Sequence, residues 1–270
     1  MKPTVGIIGV GRMGAPIIGH LVRQDFTTQA CDLNPAKQAF VTGQGAYWAA
    51  GPQALAAVCE VILVCVGFDA EVRALFDTEG PLSQARPGSI IAILSTIHPD
   101  TARELAARCE PRGVYVVDST VCRGGEAADN GTLLSFVGGS ADVVAQLTPV
   151  LRAYSADVVH TGGIGTAQVA KAVNNLILWA CLVADHEGLA LAQHYGADIE
   201  ALRKALLTSS CANGPLEKWG TQTMAWAEDD MAIVAKMAAE SGIALPQAGL
   251  NRELCRALKP NRYKLEQYGN

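Results

Sequence analysis

Charged residues are scarce in this chain, 17% of 270 positions against 50% hydrophobic ones, so it can build a large core and lacks the composition of a disordered segment. Basic charge is not in excess. The 21 Lys and Arg against 26 Asp and Glu leave a formal net charge of −5, which argues against a general electrostatic role on nucleic acid or an acidic membrane. One basic cluster, Arg252, Arg256, Lys259, Arg262 and Lys264, is offset by Glu253 and Glu266 and reads as the solvated face of a last helix. Metal-ligand spacing is missing: the eight cysteines contain no CxxC and the five histidines no HxxxH or HExxH, so no metal site is expected. Several cysteines sit in apolar runs, where a free thiol acts as a small hydrophobe, and the length excludes a disulfide-stapled mini-fold. The longest apolar stretch, Leu176 to Ala184, is broken by Asp185, His186 and Glu187, short of a membrane span. The N-terminus runs directly into a strand-like stretch with no signal-peptide pattern. The expectation is a reduced, cytoplasmic, soluble protein of enzyme size.

The length corresponds to about two domains. Over the first 160 residues, apolar β-branched runs alternate with helical patterns. Strands are expected at Thr4–Gly9, Thr27–Asp32, Val61–Val66, Ser89–Leu94, Val114–Asp118, Leu133–Gly138 and Asp157–His160. Helices are expected at Gly14–Gln24, Pro52–Val58, Asp69–Phe76, Asp100–Cys109 and Asp142–Tyr154. Continuous apolar strands alternating with helices imply a largely parallel sheet covered on both faces. From Thr166 to Tyr195 there is no proline and only one glycine, which predicts one long, apolar, buried helix. Further helices are expected near Asp198–Leu207, Asp229–Ser241 and Pro246–Leu258, with no strand after residue 161. The predicted fold class is α/β: a Rossmann-type, doubly wound, mostly parallel sheet domain over 1–161, then an all-helical C-terminal domain over 162–270.

The first strand runs into Gly9-Val10-Gly11-Arg12-Met13-Gly14 and then a helix, with Asp32 closing the next strand. GxGxxG alone is weak, but this strand–turn–helix context with a following acidic residue is the dinucleotide-binding pattern. The first glycine permits the tight turn, the second a close backbone approach to a pyrophosphate, and the third close helix–strand packing. The helix start offers free N–H groups to an anion. Gly9, Gly11, Arg12, Met13, Gly14 and Asp32 are therefore the candidate cofactor residues. Asp32 can accept the ribose hydroxyls of NAD and would repel the 2′-phosphate of NADP, and Leu33-Asn34-Pro35 offers no arginine to that phosphate. NAD is favoured over NADP.

Four segments in order resemble the β-hydroxyacid dehydrogenases, the group that includes 3-hydroxyisobutyrate dehydrogenase and tartronate semialdehyde reductase. They are Gly9 to Pro16, the turn Leu94-Ser95-Thr96-Ile97-His98-Pro99, the stretch from Asp118 to Gly125 continuing to Leu133, and Gly162 to Lys171 ending in Asn174-Asn175. The resemblance spans nearly the whole chain. It implies a two-domain fold with the active site in the cleft, Lys171 as catalytic acid/base and Asn175 assisting it. It also implies Thr96 near the nicotinamide and a small substrate whose carboxylate is held by the loop Cys122, Arg123, Gly124 and Gly125 together with Lys171. The residues themselves are compatible. Lys171 and Asn175 stand i, i+4 on one helix face, in an apolar stretch where an ammonium is costly unless it has a task or a partner.

The chain departs from the family pattern in places. Ser119 and Thr120 stand for the usual alanine and proline, Cys122 for a serine and Arg123 for a glycine. An inward Arg123 would clamp a second anionic group; an outward one would lie in a solvated loop. Asp229-Asp230-Met231 replaces a Lys-Asp-Leu pattern whose lysine contacts the cofactor, so Asp229 either turns away or weakens binding. Trp219, Met224 and Trp226 are expected in the core rather than in a pocket. The activity expected is an NAD-dependent dehydrogenase or reductase acting on a small carboxylate-bearing alcohol. A non-catalytic dinucleotide sensor and a C=N reductase on the same scaffold are the alternatives. The long apolar helix predicts a homodimer or homotetramer that buries it.

Overall fold

The computed structural model describes residues 2–67, 69–77 and 80–268. Contacts divide the chain into two compact units, Met1–Lys171 and Ala172–Asn270.

Unit 1 is built on an eight-stranded sheet in the order β3-β2-β1-β4-β5-β6-β7-β8. Its strands are β1 (Val5–Ile8), β2 (Thr28–Cys31), β3 (Tyr47–Trp48), β4 (Val61–Val64), β5 (Ile90–Ile93), β6 (Tyr115–Cys122), β7 (Leu133–Gly138) and β8 (Ser155–Gly162). Every residue of β1, β4 and β5 is buried, because side chains alternate faces and both faces are covered. Val5, Ile7, Val61, Leu63, Ile90 and Ala92 enter one core with α1 (Gly14–Arg23), α2 (Gln38–Gly43), α6 (Gly124–Asn130) and α7 (Ala141–Leu151). Their neighbours Ile8, Ile62, Val64, Ile91 and Ile93 enter the other, with α3 (Pro52–Val58), α4 (Asp69–Phe76) and α5 (Pro99–Cys109). Truncating one fully buried residue such as Ile62 to alanine would cost about 2–5 kcal/mol. The strand order reverses between β1 and β4, which opens a crevice at their carboxyl ends, the position where such sheets bind ligands.

The sheet is parallel except where β7 pairs antiparallel with β6. Residues 123–132 are too few for a parallel crossover, so the chain must double back. That antiparallel pairing also carries β6 past its expected end at Asp118 to Cys122, since residues 118–122 pair with 134–138. The polar run Asp118-Ser119-Thr120 is fully buried.

Unit 2 contains most of α8 (Thr166–His194), then α9 (Ile199–Leu206), α10 (Gly214–Glu217), α11 (Ala227–Ser241) and α12 (Pro246–Leu258). Its core joins Trp179, Leu182 and Val183 of α8 to Met224, Met231, Val234, Cys255 and Leu258. By length and hydropathy alone α8 could cross a bilayer, but one of its faces makes this core. The helix is not buried all round as expected. Val173, Ile177 and Leu191 are 51%, 58% and 61% exposed and form an apolar stripe at helical spacing. Met224 is core as expected and Trp219 packs on His186 and Tyr263, whereas Trp226 is exposed.

Candidate functional site

The first part of the site is the turn between β1 and α1. Gly9 adopts φ +100, and a Cβ there would come 2.8 Å from the Cys65 carbonyl carbon, so only glycine fits. A Cβ on Gly14 would come 3.2 Å from the Gly9 carbonyl carbon, so the third glycine allows α1 to start directly on its own turn. Gly11 differs: a Cβ there would meet nothing within 4 Å. Its open side is where a ligand backbone can approach. No side chain caps the start of α1, but the Ala15 N–H donates to the Gly11 carbonyl at 3.0 Å and Pro16 has no N–H, so the capacity of this turn for an anion lies ahead of Ala15. Met13, the cap position, packs against the core. Asp32 closes β2 and ties the turn down, accepting the Val10 N–H at 2.7 Å and the Asn34 N–H at 2.8 Å. Each carboxylate oxygen keeps a second lone pair for a ribose hydroxyl. A cavity of about 460 Å³ opens beside the turn, lined by Gly11, Arg12, Ala15, Arg23, Lys37 and Phe40 among others. These features fit a dinucleotide: an open glycine, an uncapped helix start and an acceptor at the end of the second strand.

The second part is the turn after β5. Ser95 Oγ donates to the Val66 carbonyl at 2.8 Å and accepts the Val66 N–H at 3.0 Å. Gln168 then clamps the same turn from α8. Its Nε2 donates to the Ser95 carbonyl at 2.8 Å, and its Oε1 accepts the Ile97 N–H at 2.9 Å. Thr96 lies between those two anchored residues and is half-buried.

The third part is the junction of β6 with α8. The Asp118 carboxylate is fully buried and accepts the N–H groups of Gly165 at 2.8 Å and Gln168 at 2.9 Å, capping the start of α8. Burial pushes its carboxyl above the usual carboxylate range, and those N–H donors only partly oppose the shift. A Cβ on Gly138 would come 3.0 Å from the Asp118 carboxyl carbon, so the glycine in β7 makes room for the cap. Thr120 Oγ1 donates to the Ala167 carbonyl at 3.0 Å. With its first turns fixed in this way, α8 delivers Lys171 to the end of β6. Its Nζ donates to the Val121 carbonyl at 2.8 Å and lies 3.8 Å from Cys122 Sγ. Asn175, one turn further along α8, is buried, and its Oδ1 accepts from Asn174 at 3.0 Å.

Residues 4–163 match the model of the NAD-binding domain of 6-phosphogluconate dehydrogenase. Residues 165–267 match that of the NAD-binding domain of NADP-dependent 3-hydroxyisobutyrate dehydrogenase. The chain belongs to the β-hydroxyacid dehydrogenase family. It is 28% identical to 2-(hydroxymethyl)glutarate dehydrogenase of Eubacterium barkeri, over 93% of this chain and 87% of that one. To the NAD-dependent L-serine dehydrogenase of Pseudomonas aeruginosa it is 29% identical, over 79% and 72%. The structure of 3-hydroxyisobutyrate dehydrogenase from Mycobacterium tuberculosis with L-serine superposes with a TM-score of 0.87 at 23% identity, covering 97% and 95%, which shows a shared fold. This β-hydroxyacid dehydrogenase is an NAD(P)-dependent oxidoreductase.

Two arginines of the sequence reading are engaged in ion pairs. Arg12 lines the cavity beside the glycine turn. Its guanidinium pairs with Asp129 through two bonds of 2.7 and 2.6 Å. Arg123 lies against β8. It pairs with Asp157 on β8 at 2.6 Å and donates to the Thr132 carbonyl at 3.2 Å. The reason is backbone geometry: Arg123 sits at φ 85, the left-handed conformation that turns β6 into α6 and that suits the family's glycine. From there its side chain runs toward β8.

Gly124 and Gly125 begin α6, and Cys122 ends β6 beside Lys171. Asp229 is exposed in the acidic first turn of α11, where carboxylates suit the helix dipole. Its neighbour Asp230 accepts the Trp179 indole N–H at 2.9 Å. The sequence reading missed Gln168 and Asp118 as site builders. Asp118 did carry a signal, an acidic residue in an otherwise apolar strand.

Proposed function

We propose that the chain transfers a hydride reversibly between a small β-hydroxy acid and NAD, with Lys171 as general acid/base. The observation that carries this reading is Lys171 itself. Its ammonium is set at the end of β6 by a helix whose start is capped by a buried carboxylate, and it touches one backbone carbonyl and one thiol. The two relatives named above act on acids that share a hydroxymethyl group on the carbon bearing the carboxylate, and that is the substrate class favoured here.

When bound, the nicotinamide supplies the hydride acceptor. Gly11 and the backbone of the turn ahead of Ala15 would hold the pyrophosphate and Asp32 the ribose hydroxyls, and Thr96 would flank the nicotinamide. The Cys122–Gly125 loop would bind the substrate carboxylate. In reduction the Lys171 ammonium would give a proton to the developing alkoxide and become the neutral amine, in oxidation the neutral amine would take the hydroxyl proton, and the Asn175 amide would bond the same oxygen. A proton-handling lysine with an adjacent amide favours alcohol over imine chemistry, and its placement favours catalysis over sensing. Asp32 favours NAD, whereas Arg23 and Lys37 line the neighbouring cavity, so NADP belongs in the same assay.

The exposed stripe Val173, Ile177 and Leu191 supports a homodimer or homotetramer, and Ile177→Glu would then shift sedimentation toward monomer. All eight cysteines are free, in keeping with a reducing, cytoplasmic setting. The activity test follows NAD reduction against a panel of hydroxy mono- and dicarboxylates. Lys171→Ala is expected to lower kcat by about 10²–10⁴-fold with NAD binding retained. A Lys171→Ala enzyme as active as the wild type would overturn the assignment.

A further inference from the structure

We propose that Arg12 is a positioning residue rather than a cofactor ligand: it locks the substrate loop to the glycine turn, so that the two binding elements are set against each other. The inference rests on the proposed role of the Cys122–Gly125 loop. Arg12 stands in the turn between Gly11 and Gly14, and its two-bond pair with Asp129 crosses to α6, the helix that begins at that loop. Two parallel N–H···O bonds fix the orientation of the guanidinium plane as well as its distance.

The same group lies directly against Gly125. A Cβ built there would come 2.6 Å from the guanidinium carbon and 2.7 Å from Nε. Gly125 has no left-handed backbone that would demand glycine, and the three atoms nearest a Cβ there all belong to the Arg12 guanidinium group. A second contact of the same kind lies two helical turns along α1. His20 Nε2 stands 3.0 Å from the Ala128 carbonyl and 3.1 Å from that of Asp129, with its ring against Gly131. A Cβ on Gly131 would come 2.9 Å from His20 Nδ1. Arg12 and His20 thus both bond Asp129, near the C-terminal end of α6, and the Arg12 guanidinium lies in addition against Gly125 at the start of that helix. Of the two, only Arg12 touches the loop that would meet substrate.

A cofactor ligand and a positioning residue differ in what their loss changes. Arg12→Ala, Asp129→Ala and the double variant would be compared for NADH affinity, by nicotinamide fluorescence, and for the KM of a hydroxy acid. Each single variant is expected to raise substrate KM by about fivefold, the scale of a well-oriented but exposed ion pair. The double variant should be no worse than either single one, with NADH Kd within about twofold of wild type throughout. A loss of NADH affinity in Arg12→Ala that Asp129→Ala does not share would overturn the proposal, as would additive effects on KM. Melting supplies an arm that needs no turnover. Gly125→Ala should lower Tm in the otherwise wild-type chain, and Arg12→Ala in the same chain should restore it; no restoration refutes the contact. If the wild type oxidises no hydroxy acid, the functional reading fails, and the melting pair still decides the role of Arg12.

Discussion

Gln168 is where stability and site geometry meet most directly, and its removal makes a demanding test. The side chain is 1% exposed and spends both ends of its amide on the turn after β5, on the Ser95 carbonyl and the Ile97 N–H. Truncation to alanine leaves two buried backbone groups without partners, at about 1–3 kcal/mol each. The vacated volume adds about 1 kcal/mol unless water fills it. The expected cost is therefore about 3–7 kcal/mol, toward the lower end if one water bridges the two groups. Gln168→Glu keeps the shape but places an oxygen against the Ser95 carbonyl, so it should also destabilise, and less so at low pH where a protonated carboxyl can donate. Urea unfolding gives the global value. Exchange of the Ile97 amide gives the local one and should accelerate by about 10–100-fold. Because Thr96 lies between the two anchored residues, kcat should fall in the folded variant as well. Unchanged Ile97 exchange together with an unchanged unfolding midpoint would refute the clamp.

The glycines of the β1–α1 turn separate folding from binding. Gly11→Ala should fold with stability within about 0.5 kcal/mol of wild type yet lose most dinucleotide affinity, whereas Gly9→Ala, at φ +100 and against Cys65, should fail to accumulate folded. Thermal melting with and without NADH checks both. His186 predicts a pH effect on unit 2. Burial holds its imidazole below the ordinary value, with Nδ1 donating to the Leu182 carbonyl and Nε2 accepting the Tyr263 N–H, both at 2.8 Å. A histidine depressed in the folded state contributes stability that is full above its unfolded pKa of about 6.5 and is lost as pH falls through that value. Tm should therefore decline from pH 7.5 to 5.5, more steeply in the wild type than in His186→Gln. Parallel curves would sink that reading.

What was legible in the sequence was whatever has a period or a fixed local pattern. The helices Pro52–Val58, Asp69–Phe76 and Pro246–Leu258 carry a proline or acidic start and an apolar face, and all three have their expected bounds. The fully apolar strands β1, β4 and β5 are read from their runs alone. The short helices α2 and α10 escaped, as did several other features. β3 is two residues long, too short for any period. α6 begins on Gly124-Gly125 and ends on Asp129-Asn130, poor helix formers that tertiary contact with α1 overrides. Arg12 and Arg123 found carboxylates 117 and 34 positions away, partners that no local pattern announces. Gln168 was visible within its motif, but its role depends on a turn 71 positions earlier.

The departures in the third motif now divide into two kinds. With Arg123 engaged by Asp157, the added cation has a carboxylate partner within the sheet, and a hydroxy dicarboxylate should gain little over a monocarboxylate. Cys122 is different. It is buried, stands where relatives place a serine, and lies 3.8 Å from Lys171 Nζ. A thiol is a weak donor where a hydroxyl is a strong one, so in its proposed role this loop would hold a carboxylate mainly through its backbone N–H groups. Restoring the hydroxyl should then tighten substrate binding without touching the proton transfer. Cys122→Ser is expected to lower the KM of a hydroxy acid by about 10- to 100-fold, the worth of one hydrogen bond to a charged group, with kcat and NADH affinity unchanged. An increase in KM would mean that the thiol itself is fitted to the substrate and that its larger sulfur fills space the acid needs filled. A drop in kcat at constant KM would mean instead that Cys122 acts through Lys171, and would move the carboxylate site away from this loop.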